Sequence, residues 1–232
     1  MTTVVVLAAG TGSRFGAAYP KELHTIRPGV AVIDPLIDAL NAIASPKLKV
    51  VVVVSADKLA LMRHLERSLH DTAFVTLPPS TVERGLGTGL LAAAPWCDDA
   101  VLLCLGDQIF LSDPVQSLSC AVGRVQTGDD PITVVAAATS DLDRLRGEGA
   151  LTVTDDIVRA AVEKPSDPTR FNACWSALAM TKPALTTVAK GLTDGVTECL
   201  INAPVVWGPD FVNLNDPADV ALAVAMRAGA LR

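Results

Sequence analysis

The chain alternates short, almost wholly apolar runs with longer stretches in which apolar residues recur every three or four positions. Thr3–Ala8, Leu48–Val54, Ala73–Leu77, Ala100–Leu105 and Ile132–Ala138 are runs of the first kind. Continuous β-branched runs without a polar face predict strands buried on both sides, as in a parallel sheet covered by helices. Between them, Val32–Ala44 is apolar at Ile33, Leu36, Ile37, Leu40 and Ile43, and Lys58–Leu69 at Leu59, Leu61, Met62, Leu65 and Leu69. Both spacings are helical. The order strand, loop, helix, strand, helix, strand predicts a doubly wound α/β sheet with right-handed crossovers.

The second half continues less regularly. A helix is expected to open after Gly89 over Leu90–Ala94, and another over Asp113–Val125. Ser140–Gly149 is polar and charged and reads as a surface segment, leading into a hairpin of Ala150–Thr154 and Val158–Val162. Ala173–Met180 is a further apolar strand, with Trp175 expected in the core, and Pro183–Gly191 a helix. Ala203–Trp207 is expected to be the final strand. The last helix follows Asp216, an N-cap with Pro217 at the first helical position and Asp219 at the third, and runs through Arg227. No repeat, low-complexity tract or linker divides the 232 residues, so one domain across 1–232 is expected.

Composition narrows the classes. Half of the residues are hydrophobic, which is globular. No apolar run approaches the eighteen or so residues that span a bilayer, and no basic region precedes the first apolar stretch. A cytoplasmic protein without a membrane partner is expected. A net charge of −6 argues against a general nucleic-acid binder, which needs a basic face. Cys97, Cys104, Cys120, Cys174 and Cys199 are scattered and read as reduced core residues; His24, His64 and His70 are equally dispersed, with no metal-ligand spacing.

Candidate chemistry begins where the first strand ends. Ala9-Gly10-Thr11-Gly12-Ser13-Arg14-Phe15-Gly16 follows it, closing on Pro20-Lys21-Glu22-Leu23. A buried strand delivers its loop to the carboxyl edge of the sheet, where open α/β folds bind ligands. Two glycines bring bare amides close to an anion, and Arg14 and Lys21 add positive charge, so the loop suits phosphates. The dinucleotide fingerprint fails, because its third glycine would fall at Phe15 and no acidic residue ends a second strand about twenty residues on. The P-loop fails too, for want of Gly-Lys-Ser/Thr. Glu83-Arg84-Gly85-Leu86-Gly87-Thr88-Gly89 is a second glycine-rich stretch before a helix, readable as a loop or as a ligand contact. Gly106-Asp107-Gln108 ends a buried strand and is either a turn or a place for Mg²⁺, which takes few protein carboxylates and completes its shell with phosphates. Glu163-Lys164-Pro165 alone reads as a solvated loop. Capping accounts for Asp216 and Asp219 and leaves Asn213 and Asn215 unexplained.

LAAGTGSRFG followed by PKEL resembles the nucleotide-binding loop of the sugar-1-phosphate nucleotidyltransferases, close to L-A-[AG]-G-x-G-[ST]-R, a short spacer, then P-K. The resemblance runs from Val4 to Val220. It implies a three-layer α/β/α, Rossmann-like fold with a mixed, mostly parallel sheet of the nucleotide-diphospho-sugar transferase type. It implies that Leu7, Ala8, Ala9, Gly10, Thr11, Gly12 and Ser13 contact the nucleotide and that Arg14 and Lys21 are catalytic. The Leu-Gly-Thr-Gly stretch is similar to that of uridylyltransferases acting on N-acetylglucosamine 1-phosphate, which implies Gly87 and Thr88 in a base pocket and favours UTP. The family's Gly-Asp implies Asp107 as a Mg²⁺ ligand, and its terminal V-N-N or L-D-T implies Asn215 as the second, with Asp216 the fallback. Its [VI]-E-[KH] implies Glu163 and Lys164 at the sugar phosphate. Its N-T-G implies Asn172 at the sugar, although Ala173-Cys174 replaces the last two residues here.

The function so implied joins a sugar 1-phosphate to a nucleoside triphosphate and releases pyrophosphate. The hexapeptide β-helix repeats of the bifunctional uridylyltransferases are absent, so no acetyltransferase half is expected. Two rivals stand beside it. One is a CTP-dependent cytidylyltransferase of the methylerythritol-phosphate or alditol-phosphate type, which shares the loop spacing but carries Asp-Ala-Ala-Arg where this chain has Gly-Asp-Gln. The other is a nucleotide-sensing module without catalysis. The sugar and the oligomeric state stay open.

Overall fold

The computed structural model describes residues 1–12, 14–43, 48–69, 71–78, 85–195 and 197–227. Ser13, Ala44, His70, Glu83 and Arg84, singled out in the sequence, lie outside the described residues. In chain order the strands are β1 (Thr2–Ala8), β2 (Thr25–Arg27), β3 (Val30–Ala31), β4 (Leu48–Ser55), β5 (Thr72–Leu77), β6 (Ala100–Leu105) and β7 (Gln108–Phe110). They continue with β8 (Ile132–Ala138), β9 (Gly149–Thr154), β10 (Ile157–Glu163), β11 (Ala173–Thr181), β12 (Val205–Trp207) and β13 (Phe211–Asn213). The α-helices are α1 (Asp34–Ile43), α2 (Leu59–Ser68), α3 (Leu86–Ala93), α4 (Val115–Thr127), α5 (Leu142–Gly147), α6 (Lys182–Asp194) and α7 (Pro217–Arg227).

All seven residues of β1 are buried, and the strand pairs in parallel with β4 on one edge and β6 on the other. β5 extends the parallel sheet beyond β4. β11 runs against both β6 and β8, while β12 follows β8 in parallel and the β9–β10 hairpin joins through Ala173 and Cys174. This is a nine-stranded mixed sheet with a parallel centre.

Side chains alternate across its central strands β1, β4 and β6. Val4, Val6, Val50, Val52, Leu102 and Cys104 face one core with α1, α2 and α4. Val5, Leu7, Val51, Val53, Leu103 and Leu105 face the other with α3 and α6. The doubly apolar strands thus have a helical layer on each side, as their patterning demands. No helix among the described residues is long and apolar enough to cross a membrane.

Several local expectations change. The segment from Ser140 to Gly149 contains α5, capped by Asp141 Oδ1, which accepts from the amides of Asp143 and Arg144. α3 begins at Leu86, not after Gly89, so the glycines lie in its first turns. Val205–Trp207 is not the last strand. Phe211–Asn213 forms β13 and pairs antiparallel with β7, with Asn213 opposite Gln108. Three-residue strands carry too few positions for a period to be read. Cys120 is exposed, whereas Cys97, Cys104 and Cys174 are buried; burial pushes the Cys104 and Cys174 thiols up to about 12, so neither is a thiolate near neutral pH.

α3 meets α6 at Gly87, where a Cβ would stand 1.8 Å from the Ala189 carbonyl oxygen. Only a residue without a side chain allows that approach. Gly123, inside α4, has open space instead. Gly87→Ala is expected to cost about 1–3 kcal/mol by overpacking. Gly123→Ala is expected to be neutral or to stabilise by up to about 1 kcal/mol. Urea midpoints of the two variants check the contrast.

Candidate active site

The parallel strands end together at Ala8, Ser55, Leu77 and Leu105, and an open cavity of about 260 Å³ lies against that edge. Its walls include Leu7, Ala8, Ala9 and Gly10 from the end of β1, Asp107 after β6, Asn213 at the end of β13 and Asn215 after it. Glu163, Lys164 and Trp175 close its far side. A second hollow of about 180 Å³ adjoins it, lined by Gly10, Thr11, Gly12, Lys21, Asp57 and Lys58.

The β7–β13 ribbon brings the distant ends of this site together. Its ladder continues past the strands as the amide of Leu214 donates to the Asp107 carbonyl oxygen at 2.8 Å. A small apolar cluster of Phe15, Ile26, Val32, Ile109, Val212, Leu214 and Ala223 sits beneath. Through Phe15, the glycine-rich loop is seated on the same cluster as the ribbon. Across the mouth, Lys21 Nζ lies 2.5 Å from Asp107 Oδ2 and donates to the Leu214 carbonyl oxygen at 2.6 Å. Arg14 Nη2 donates to Asn215 Oδ1 at 2.9 Å. The start of α7 steadies Asn215, because Asp219 Oδ2 accepts from the amides of Asn215 and Asp216 at 2.7 and 2.9 Å.

Asp107 and Asn215 therefore line the cavity with Glu163 and Lys164, and Lys21, from the adjoining hollow, and Arg14 bond to the first two. Trp175 is 5% exposed and belongs to the core as expected, yet its indole Nε1 donates to Glu163 Oε1 at 3.0 Å. Gly149 permits this contact, since a Cβ there would meet Trp175 Nε1 at 1.9 Å and Glu163 Oε1 at 2.6 Å. Burial raises the Glu163 carboxyl above its ordinary range, against the indole bond that lowers it. Lys164 holds a left-handed backbone at φ 50°, an uncommon conformation for a residue with a side chain.

Four expected residues stand elsewhere. Gly87 and Thr88 do not line the cavity; Gly85, Leu86 and Gly89 form that wall, and Gly87 is turned against α6. Asn172 is exposed and away from the cavity, because its amide group pairs with the backbone of Val153, Oδ1 accepting at 2.8 Å and Nδ2 donating at 2.9 Å. Its side chain continues a strand edge. Asp216, the fallback ligand, caps α7 by accepting from the amide of Ala218 at 2.8 Å.

Two residues went unnoticed in the sequence. Glu22 is 1% exposed and Lys58 5% exposed, and Lys58 Nζ lies 2.6 Å from Glu22 Oε1 and 2.7 Å from the Ala8 carbonyl oxygen. The one available signal was a second lysine just after a strand that ends at the same sheet edge. Burial raises the Glu22 carboxyl, and the Lys58 ammonium pulls it back. Removing one partner of such a pair costs about 3–5 kcal/mol, whereas replacing both by apolar residues is often neutral or stabilising.

A family model for the MobA-like NTP transferase domain matches residues 4–141. The chain is 33% identical to "Bifunctional protein GlmU" of Sorangium cellulosum over 145 residues, 60% of this chain and 29% of that protein. It spans about a third of the length of the curated relatives it matches. Among solved structures it is similar, at TM-score 0.77 and 14% identity, to a Bacillus anthracis protein assigned as a glucose-1-phosphate thymidylyltransferase, covering 98% of this chain and 95% of that one. It is likewise similar to a UDP-glucose pyrophosphorylase complexed with UDP-glucose, at TM-score 0.75, 14% identity and full coverage of both chains. At that identity the likeness is one of fold.

Glu148 also lines the cavity, with Arg144 3.5 Å away, and burial raises its carboxyl from 4.5 to about 6. The folded chain then binds this proton more tightly than the unfolded chain. Between pH 4.5 and about 6 the stability contributed by Glu148 accordingly falls as pH rises. Glu148→Gln is expected to flatten that part of the profile, as read by denaturation midpoints across the window.

Proposed function

The chain belongs to the MobA-like NTP transferase domain family, and on that premise we propose that it joins a sugar 1-phosphate to a nucleoside triphosphate, UTP first, releasing pyrophosphate. The observation that carries this reading is the meeting of Arg14, Lys21, Asp107 and Asn215 at one cavity mouth. Phosphoryl transfer asks a protein for in-line positioning and compensating charge more than for covalent chemistry.

In this reading, an anionic phosphate oxygen of the sugar phosphate attacks the α-phosphorus and forms the new P–O bond. The bond from the α-phosphorus to the bridging oxygen breaks, and pyrophosphate leaves with its electron pair. The nucleophile is already ionised, so no side chain has to remove a proton. Lys21 offsets the repulsion between the α-phosphate and the incoming phosphate. Arg14 and the glycine-rich loop receive the β- and γ-phosphates. Glu163 and Lys164 orient the sugar phosphate. Leu7, Val53, Leu77, Leu86 and Leu105 offer an apolar wall for the base, with Gly85 and Gly89 leaving room beside it.

The donor chemistry fits Mg²⁺. Asp107, with 27% of its side chain exposed, and Asn215 supply hard oxygens at the mouth, and a cation that keeps few protein ligands would complete its shell with phosphates. Among the described residues no three His, Cys, Asp or Glu side chains gather as a metal site, so such a cation would rest on one carboxylate and amide oxygen. When bound, Mg²⁺ supplies charge neutralisation on the phosphates. Leu86 and Gly89 of the Leu-Gly-Thr-Gly stretch line the cavity, and the similarity of that stretch to uridylyltransferases, with the name of the UDP-glucose pyrophosphorylase neighbour, supports UTP.

The test is a matrix of sugar 1-phosphates against UTP, TTP, CTP and GTP with Mg²⁺, read by pyrophosphate release. Turnover led by UTP is expected. Release with CTP and an alditol phosphate alone would favour a cytidylyltransferase, and tight nucleotide binding without any release a sensing module. Lys21→Ala is expected to lower kcat by at least about tenfold, with the melting temperature nearly unchanged. Wild-type turnover in that variant would remove Lys21 from the mechanism.

A further inference from the structure

The buried pair of Glu22 and Lys58 lies on the partition between the two hollows. Glu22 and Ala8 line the larger cavity, and Lys58 lines the hollow that holds the glycine-rich loop and Lys21. Lys58 stands immediately before α2, and its ammonium bridges the carbonyl oxygen of the last β1 residue to the side chain next to Lys21. Glu22 is fixed a second time through its backbone, since its carbonyl oxygen accepts from the amide of Ile33 at 3.1 Å. Lys21 and Glu22 share a single 3₁₀ turn, so anchoring one constrains the other. The remaining oxygen, Glu22 Oε2, is buried and has no partner among the described residues.

An apolar pair could fill this space at no loss of stability. What it could not do is bond the end of β1 and the turn of Lys21 to one atom. We propose that Lys58 is a positioning residue for triphosphate binding: it locks the strand that carries the glycine-rich loop to the turn that carries Lys21, so that both meet the same phosphates. Lys58 acts through Lys21 and the loop and touches no reacting atom. The proposal rests on the nucleotidyltransferase reading.

The experiment compares wild type, Lys58→Met and Lys58→Met/Glu22→Leu, with separate Michaelis constants for MgUTP and for the sugar phosphate. Lys58→Met alone leaves a buried carboxylate uncompensated and is assayed well below its melting temperature. The double variant removes both charges and is expected to recover most of the wild-type melting temperature. In both, the KM for MgUTP is expected to rise at least about tenfold while the KM for the sugar phosphate stays within about twofold of wild type. A merely structural role lowers the fraction of active protein, and so the apparent kcat, and leaves KM where it was. An unchanged KM for MgUTP in either folded variant would overturn the proposal. Absence of turnover in the wild type with every pair of substrates would overturn the nucleotidyltransferase reading first and this one with it.

Discussion

Burial of β1 on both faces and along both edges is the constraint from which the rest follows. A strand with β4 and β6 on its flanks and helices above and below exposes its backbone only where it stops. It stops at Ala8, and the chain has to leave through the carboxyl edge of the sheet. The glycine-rich loop emerges at the one place where β4, β5 and β6 also release their connections, so residues from four segments become neighbours without any bond between their side chains. The Lys21–Asp107 ion pair and the Arg14–Asn215 hydrogen bond refine a meeting that strand order has already arranged.

The reversal of β11 gives the site its second wall. By running against β6, it turns the chain back and holds the β9–β10 hairpin beside the parallel strands, which carries Glu163, Lys164 and Trp175 to the cavity. One half of the site is thus built from loops after parallel strands, with an apolar wall and, at its rim, Lys21 paired with Asp107. The other is built from a hairpin and carries carboxylates.

Much of this was readable from residues alone, and for a physical reason. β1, β4, β6 and β8 are continuous apolar runs because both faces are covered, and such runs are hard to mistake. The stretch from Gly10 to Lys21 stood out in the sequence because it gathers small residues and cations after a buried strand, and the structure brings Gly10, Gly12 and Lys21 to one hollow. The unread parts depend on partners far away in sequence. β7 and β13 are three residues each, and their pairing spans about a hundred positions. Asn172 looks like a ligand contact until Val153 is seen beside it, since an amide satisfies a strand edge as well as it satisfies a hydroxyl. Gly87 looks like a base contact until Ala189 is seen against it. Glu22 and Lys58 would pass as surface charges in any composition count, and only their burial reveals them as a pair.

The cap on α7 ties the mouth to the end of the fold. Asp219 clasps the two amides before the helix, one of them that of Asn215, whose side chain meets Arg14. The first turn of α7 is therefore coupled to the entrance through Asn215. Unwinding the helix from its far end, by a fused passenger or a proteolytic nick, would slacken the gateway about two hundred positions upstream and leave the central sheet standing.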